Sequence, residues 1–324
     1  MNNFLRITAI SLLTLAARGF CAEAPAVAPT ATPEQVAAQA AERERLARLP
    51  DTPGTGPYPA VKEEVRSPTD LVVYRPARLD SLGATKLGVY VFGNGGCFDD
   101  AASSRLHLLE VASHGYLVIA PGRIRTGPGA TAPVPPGAAQ GRNSARELTT
   151  ALDWALAQNA DPKSPYHGRI DPKALAVSGY SCGGAQAMKV AADPRWKTVI
   201  MMNSGLLNVQ PRVSLADMDA SKDLLATVHT PVLYTLGGES DVAWINAMDD
   251  FKRLDKVPVF VADLKGVGHA GTYWQPNGGK AAQVVVAWLQ WQLRGDRKAG
   301  KLFTGKDCGL CRDDAWVVQR KKIS

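Results

Sequence analysis

The sequence predicts an α/β fold: a mostly parallel central sheet with helices on both faces. Three observations lead there. Short apolar runs alternate with segments of helical spacing along most of the chain, which is how strands buried on both faces and joined by crossover helices read. Several runs stop at glycine-rich loops, at residues 93–97, 179–183, 237–241 and 266–271, and sheets of this kind bind ligands beyond the carboxyl ends of their strands. The composition, 45% hydrophobic and 21% charged over 324 residues, suits a globular protein with one substantial core and an extension.

Residues 1–22 read as an export signal. Arg6 provides a positive start, residues 7–17 form an apolar stretch too short to span a bilayer, and Ala22 and Ala24 are small residues suited to cleavage, expected after Ala22. Residues 23–57 read as an N-terminal extension. Its first part, to residue 32, is Ala/Pro-rich and expected to be disordered. Thr32-Pro33-Glu34-Gln35 combines a cap, a first-turn proline and a capping-box glutamine, which opens a charged helix over 36–49. The Pro/Gly-rich residues 51–59 read as a linker. The main domain is expected over 58–324.

Within it, strands are predicted at 71–74, 87–92, 116–120, 175–178, 198–202, 231–236 and 257–261, each a short apolar run. Residues 105–112 carry leucines at helical spacing. Ser144 and Glu147 form a capping box ahead of Leu148, Ala151, Leu152 and Ala155, which share one helix face. A Val- and Trp-rich helix over 282–293 follows the last strand. Residues 121–141 are a Gly/Pro-rich insertion with arginines at both ends, placed beside the mouth of a site or serving as a passive surface loop.

The net charge is +7 and the pI about 9.2. Ordinary surface charge with a basic tail, Arg320-Lys321-Lys322, accounts for this; attraction to an anionic polymer or cell surface is the sharper alternative. No zinc-finger spacing or aromatic-basic RNA signature accompanies the charge, so nucleic acid is not an expected partner. No later segment is apolar for long enough to cross a membrane, so no stable membrane insertion is expected after signal cleavage.

The chemistry-bearing stretch is Gly179-Tyr180-Ser181-Cys182-Gly183, between an apolar run and a helix start. A serine at the apex of a sharp strand-to-helix turn projects its hydroxyl into a cleft, and flanking glycines let backbones approach closely. The following N–H, at a helix N-terminus, points where an oxyanion would form. A serine hydroxyl needs a base. Of five histidines, His107 falls in a helical pattern, His114 at a helix end, His167 in a turn and His229 just before a strand. His269 lies in a glycine-flanked loop after the last strand and is the expected base. The acid that orients it is expected at Asp241, after the preceding strand, with Glu239 as competitor; Asp263 is read as a cap or pairing residue. Ser, Asp, His is the chain order of one class of hydrolase. The second oxyanion donor is expected in the loop Gly93-Asn94-Gly95-Gly96-Cys97, from the N–H of Gly96 or Cys97, opposite that of Cys182.

Removing Cys21 with the signal leaves four of the five cysteines. An even number in an oxidising compartment suggests two disulfides, with three possible pairings. If amides near residues 97 and 182 converge on one oxygen, their Cα atoms are close enough for a bridge, which selects Cys97–Cys182 and leaves Cys308–Cys311. A redox role for Cys308-x-x-Cys311 lacks the thioredoxin-like context, and a metal site lacks nearby histidines. Trp244, Tyr273 and Trp274 flank the acid and base loops, placed either to line an acyl or aromatic pocket or to pack those loops.

Together, the stretches GNGGC, GYSCGG, GGESD and GVGHAG resemble the α/β-hydrolase superfamily over residues 58–324. Within it, the chain is similar to secreted serine esterases of the dienelactone-hydrolase-like and polyester-hydrolase-like kind. The resemblance implies an α/β-hydrolase fold of about eight strands, a Ser–Asp–His triad, no cofactor and carboxylic-ester hydrolysis. The partner would be a small-molecule or polymeric ester, met outside the cytoplasm in the periplasm or beyond. Peptidase or amidase activity would use the same residues, and a non-catalytic surface-binding protein on a hydrolase scaffold is the alternative class. Two departures stand out: Ser181 occupies the place of the dienelactone hydrolases' cysteine, and Asn94 the place where many esterases of this fold carry histidine.

Overall fold

The computed structural model describes residues 41, 44–66, 69–131, 141–209 and 220–324. The chain divides into residues 1–42 and 43–324, and the fold below is that of the second unit. The expected signal, residues 1–22, and the expected Ala/Pro-rich stretch to residue 32 lie outside the described residues, as does 132–140 of the insertion.

Among the described residues, nine strands form a single sheet. In chain order they are β1 (Ala60–Val65), β2 (Leu71–Pro76), β3 (Leu87–Gly93), β4 (Tyr116–Pro121), β5 (Ile170–Tyr180), β6 (Thr198–Met202), β7 (Val232–Leu236), β8 (Val259–Leu264) and β9 (Trp316–Lys321). Their spatial order is β1-β2-β4-β3-β5-β6-β7-β8-β9. From β4 to β8 all neighbours are parallel; β1, β2 and β9 join antiparallel at the two edges. This is the expected α/β-hydrolase architecture, with one strand more than the resemblance implies.

The inner strands are buried on both faces, and successive side chains point to opposite sides. Val89 and Val91 of β3 pack into one apolar cluster, Tyr90 and Phe92 into the other. The first cluster is closed by helices α2 (Ala145–Ala160), α3 (Cys182–Lys189) and α4 (Trp244–Arg253); the second by α1 (Arg105–Ser113) and α5 (Gly279–Arg294). Helix α2 begins with the capping box read from Ser144 and Glu147, and α5 ends at Gly295 in the left-handed conformation, the usual way a glycine stops a helix. No helix among the described residues is long and apolar enough to cross a membrane.

The reading of the sequence missed β1 and β9. Both are edge strands with one covered face. Their sequences, AVKEEV and WVVQRK, are mostly partly exposed and charged, so they lack the continuous apolar run that marks the inner strands. The stretch read as a linker is instead bonded to the domain. Asp51 pairs with Lys62 and, at 2.9 Å, with the buried Arg105. The N–H and hydroxyl of Thr55 donate to Glu110, and the Gly56 N–H donates to Ser113 Oγ. Pro and Gly break helix and strand here, but the polar partners on α1 fix the path.

His107, on α1, is fully buried against Tyr90, Phe92 and Tyr273. Burial lowers its pKa from 6.5 to about 3, against the pull of Glu110 in the other direction. Between those two values the unfolded chain binds a proton that the folded chain refuses. Stability therefore rises with pH across this window and is lost as pH falls through it, by up to roughly 5 kcal/mol at the acid end. Urea denaturation at a series of pH values is expected to show this decline, and His107→Leu is expected to flatten it.

Candidate active site

Ser181 stands between the end of β5 and the start of α3, with φ 53° and ψ −121°, a conformation that costs an L-residue of order 1–3 kcal/mol. Close glycine packing holds it there. A Cβ on Gly183 would lie 2.0 Å from the Gly93 carbonyl oxygen, and one on Gly179 2.1 Å from the Gly183 carbonyl. The Ser181 N–H donates to the Met202 carbonyl at 3.0 Å, and Ser204 Oγ donates to the Ser181 carbonyl at 2.7 Å. The turn is thus clamped by the adjoining end of β6.

His269 Nε2 lies 2.9 Å from Ser181 Oγ, and its Nδ1 lies 2.7 Å from Asp241 Oδ1. One tautomer satisfies both contacts: Nδ1–H donates to the carboxylate while Nε2 accepts from the serine hydroxyl. The loops that carry the acid and the base touch through their backbones. Gly268 N–H donates to the Gly237 carbonyl at 2.7 Å, and a Cβ on Gly237 would meet the Gly268 oxygen at 1.9 Å. Tyr180 OH donates to the His269 carbonyl at 2.8 Å.

The Asp241 side chain is wholly buried. Burial alone would raise its pKa. Hydrogen bonds from His269, the Ala243 N–H and Asn203 outweigh that and hold the carboxyl below its ordinary value. The pair can therefore keep a charged acceptor behind the imidazole at neutral pH. Glu239 is exposed. Asp263 accepts from the Gly238 N–H at 2.6 Å and from Trp244 Nε1 at 2.8 Å, tying the acid loop to the end of β8. Among the other histidines, His107 is buried in the core, His114 caps α1 and bonds Glu110 at 3.1 Å, and His167 and His229 are exposed.

The loop after β3 reaches the start of α3. Cys97 and Cys182 form a disulfide with Cα atoms 5.3 Å apart, and Cys308 and Cys311 form a second with Cα atoms 4.9 Å apart. The β3 loop is held by buried Asn94, whose Nδ2 donates to the carbonyls of Phe98 and Pro121, and by the Asn143 N–H, which donates to the Cys97 carbonyl at 2.8 Å. The Cys97 N–H itself donates to the Asn94 carbonyl at 3.1 Å. That bond closes the turn and leaves Gly96 as the expected loop donor not used in it. Among the described residues no group of three or more His, Cys, Asp or Glu is arranged to hold a metal ion.

A cavity of about 80 Å³ opens beside Ser181 and His269, walled by Ala185, Leu207, Val242, Ala243 and Asn246. Its lining does not include the three aromatic residues named from the sequence. Tyr273 is fully buried, with its hydroxyl on Asn203 Oδ1, so its expected place in the pocket is corrected. The apolar ring packs beneath the site, against Tyr180 and His107. Trp244 is turned to Asp263, and Trp274 Nε1 donates to the Ser103 carbonyl at 2.7 Å. The reading of the sequence missed Asn203 and Ser204, which reach the site from the end of β6. The signal it could have used is their position just past an apolar strand, the same one that marks Asp241.

Two outcomes follow from this geometry. Peptide mapping without reduction is expected to yield a Cys97–Cys182 linked peptide; a Cys97–Cys308 peptide would refute the pairing. Gly183→Ala forces backbone apart at the serine turn and is expected to cost about 3 kcal/mol or more, read as a lowered Tm.

Comparison with known proteins places these features in a family. A family model described as PET hydrolase-like matches residues 101–304, a span that holds Ser181, Asp241 and His269. Two cutinases of Thermobifida alba are similar over 143 residues. Cutinase est2 is 32% identical, covering 42% of this chain and 43% of that protein. Cutinase est1 is 31% identical, covering 42% and 44%. The chain thus matches less than half the length of these curated relatives. With the family model spanning well over half of its residues, the chain belongs to the PET hydrolase-like family of α/β-hydrolases.

Proposed function

We propose that the protein is a serine hydrolase that cleaves carboxylic esters through an acyl-enzyme at Ser181. The observation that carries this reading is the continuous contact from the Ser181 hydroxyl through His269 to the buried Asp241 carboxylate, 2.9 and 2.7 Å. Ser181 attacks the ester carbonyl while His269 Nε2 takes its proton. Asp241 holds the imidazole in the tautomer that can do so and stabilises the imidazolium that forms. The N–H of Cys182 and, with the Cys97 N–H engaged on the Asn94 carbonyl, that of Gly96 receive the oxyanion. The imidazolium then protonates the leaving alcohol, and a water deprotonated by His269 releases the acid.

The walls of the cavity support a reading of the substrate class. A volume of about 80 Å³ suits a short acyl group. Val242, 73% exposed, lines it on the acid side and offers apolar contact to the rest of a larger ester. The named cutinase relatives and the family description agree with a polymeric ester as one such substrate. The two disulfides and the signal-like residues 1–22 support export to the periplasm or the medium.

Ser181→Ala is expected to lower turnover of p-nitrophenyl acetate on the order of 10⁴-fold or more while circular dichroism stays unchanged. A fluorophosphonate probe is expected to label the native protein at Ser181 only. A folded variant that keeps its esterase activity would remove the assignment, and a native protein inert to the probe would favour a non-catalytic scaffold. Across p-nitrophenyl esters of increasing chain length, kcat/KM is expected to peak at the short acyl groups. Faster turnover of matched anilides would turn the reading towards an amidase.

A further inference from the structure

The three reacting side chains come from loops after β5, β7 and β8, and the strand lying between β5 and β7 is β6. Its first residue past the strand is Asn203, which is 1% exposed and has φ 43°. Asparagine is among the few residues that adopt this left-handed conformation at modest cost. Its backbone N–H donates to the Thr235 carbonyl of β7 at 2.7 Å, which fixes the backbone. Its side chain then points into the space between the acid and base loops.

There the amide uses both of its ends. Nδ2 donates to Asp241 Oδ2 at 2.7 Å and to the Gly268 carbonyl at 3.1 Å. Oδ1 accepts from the buried Tyr273 hydroxyl. One planar group therefore touches the acid, the residue before His269 and a tyrosine four residues beyond it. The base loop passes so close that a Cβ on Gly271 would lie 2.9 Å from Asn203 Oδ1.

The division of bonds on Asp241 says what the amide does. Oδ1 faces His269 Nδ1 and the Ala243 N–H, at 2.7 and 3.0 Å. Oδ2 receives Asn203 Nδ2 at 2.7 Å and a longer bond from the Gly237 N–H at 3.3 Å. Without Asn203, the outer oxygen keeps only that longer contact, and the carboxylate is free to rotate away from the imidazole. A buried carboxylate that loses this donor also loses one of the bonds that favour its charged form, after those from His269 and the Ala243 N–H.

We propose that Asn203, held by Tyr273, is a positioning residue that fixes the Asp241 carboxylate and the His269 loop as one unit. The inference rests on the reading of Ser181, Asp241 and His269 as the reacting set. Asn203 lines the cavity beside Ser181 and bonds the outer oxygen of Asp241, but bonds neither the Ser181 hydroxyl nor the His269 ring; its effect passes through the orientation of Asp241 and His269.

The test uses the full-length protein and a soluble p-nitrophenyl ester. Asn203→Gly is compatible with the left-handed backbone and removes the side chain with its amide. It is expected to lower kcat about 10- to 100-fold with KM changed less than about threefold, and to slow fluorophosphonate labelling of Ser181 in parallel. Tyr273→Phe is expected to lower kcat about 3- to 10-fold in the native background, and by less than about twofold in the Asn203→Gly background, because the hydroxyl acts through the amide. A residue that merely supports the fold would give equal factors in both backgrounds. Should Asn203→Gly not fold, Tyr273→Phe alone carries the test, and wild-type kcat and labelling rate in that variant overturn the proposal. Wild-type kcat in folded Asn203→Gly, or equal Tyr273→Phe factors in the two backgrounds, also overturns it. Ser181→Ala separates the two levels: if that variant is inactive while Asn203→Gly is not, only the positioning role falls; if it is active, the underlying reading falls first.

Discussion

Backbone contact at three glycines is the constraint on which the site depends. Ser181 sits at φ 53°, in a region that L-residues avoid. What holds it is the absence of side chains at Gly93, Gly179 and Gly183, where any Cβ would fall within about 2–2.6 Å of backbone atoms. The ends of β3 and β5 and the first turn of α3 can therefore pack main chain on main chain. That packing aims the serine hydroxyl outward, sets the helix N-terminus behind it, and brings the β3 loop close enough for Cys97 and Cys182 to join at a Cα separation of 5.3 Å. Strain at one residue is the local cost of a geometry that the surrounding contacts over-determine.

A second close approach repeats the principle on the other side of the site. Gly237 and Gly268 meet backbone to backbone, so the loops carrying Asp241 and His269 are coupled before their side chains interact. Asn203 fills the gap that remains, and Ser204, its neighbour, bonds the serine turn. The end of β6 contributes none of Ser181, Asp241 and His269, yet contacts the loops of all three. Contacts made in advance of substrate leave little reorganisation for the reaction to supply, which is how preorganised sites gain their electrostatic effect.

The family match begins at residue 101, after the loop that contains Asn94, Gly96 and Cys97. The Cys97–Cys182 bridge thus ties a residue outside the matched span to one directly beside Ser181. Around that bridge, Asn94, Asn143 and the Cys97–Asn94 turn bond fix the loop through main-chain carbonyls. The loop's shape is set by this chain's own residues, and with it the expected position of a second oxyanion donor.

How much was legible in the sequence depended on whether the physical cause was local. Inner strands buried on both faces leave continuous apolar runs, and seven were read as such; β1 and β9 face solvent on one side, and their charges hid them. Sharp turns need glycine, so the serine turn and the acid and base loops announced themselves, and the nearness of residues 97 and 182 followed from one geometric requirement. The sequence left Tyr273, in the loop after His269, to line a pocket or to pack the acid and base loops; only burial decided that it lies beneath the site. Asn203 carried one local cue, its position just past an apolar strand; which groups its amide meets was decided by β6 lying between β5 and β7, which brings it to partners 38 and 65 residues away. The sequence by itself determined the periodicity, the turns and the types of reacting side chain, since these depend on backbone sterics and nearest neighbours. The tertiary structure alone decided which polar groups share a hydrogen bond, since that depends on contacts between segments that the order of residues does not bring together.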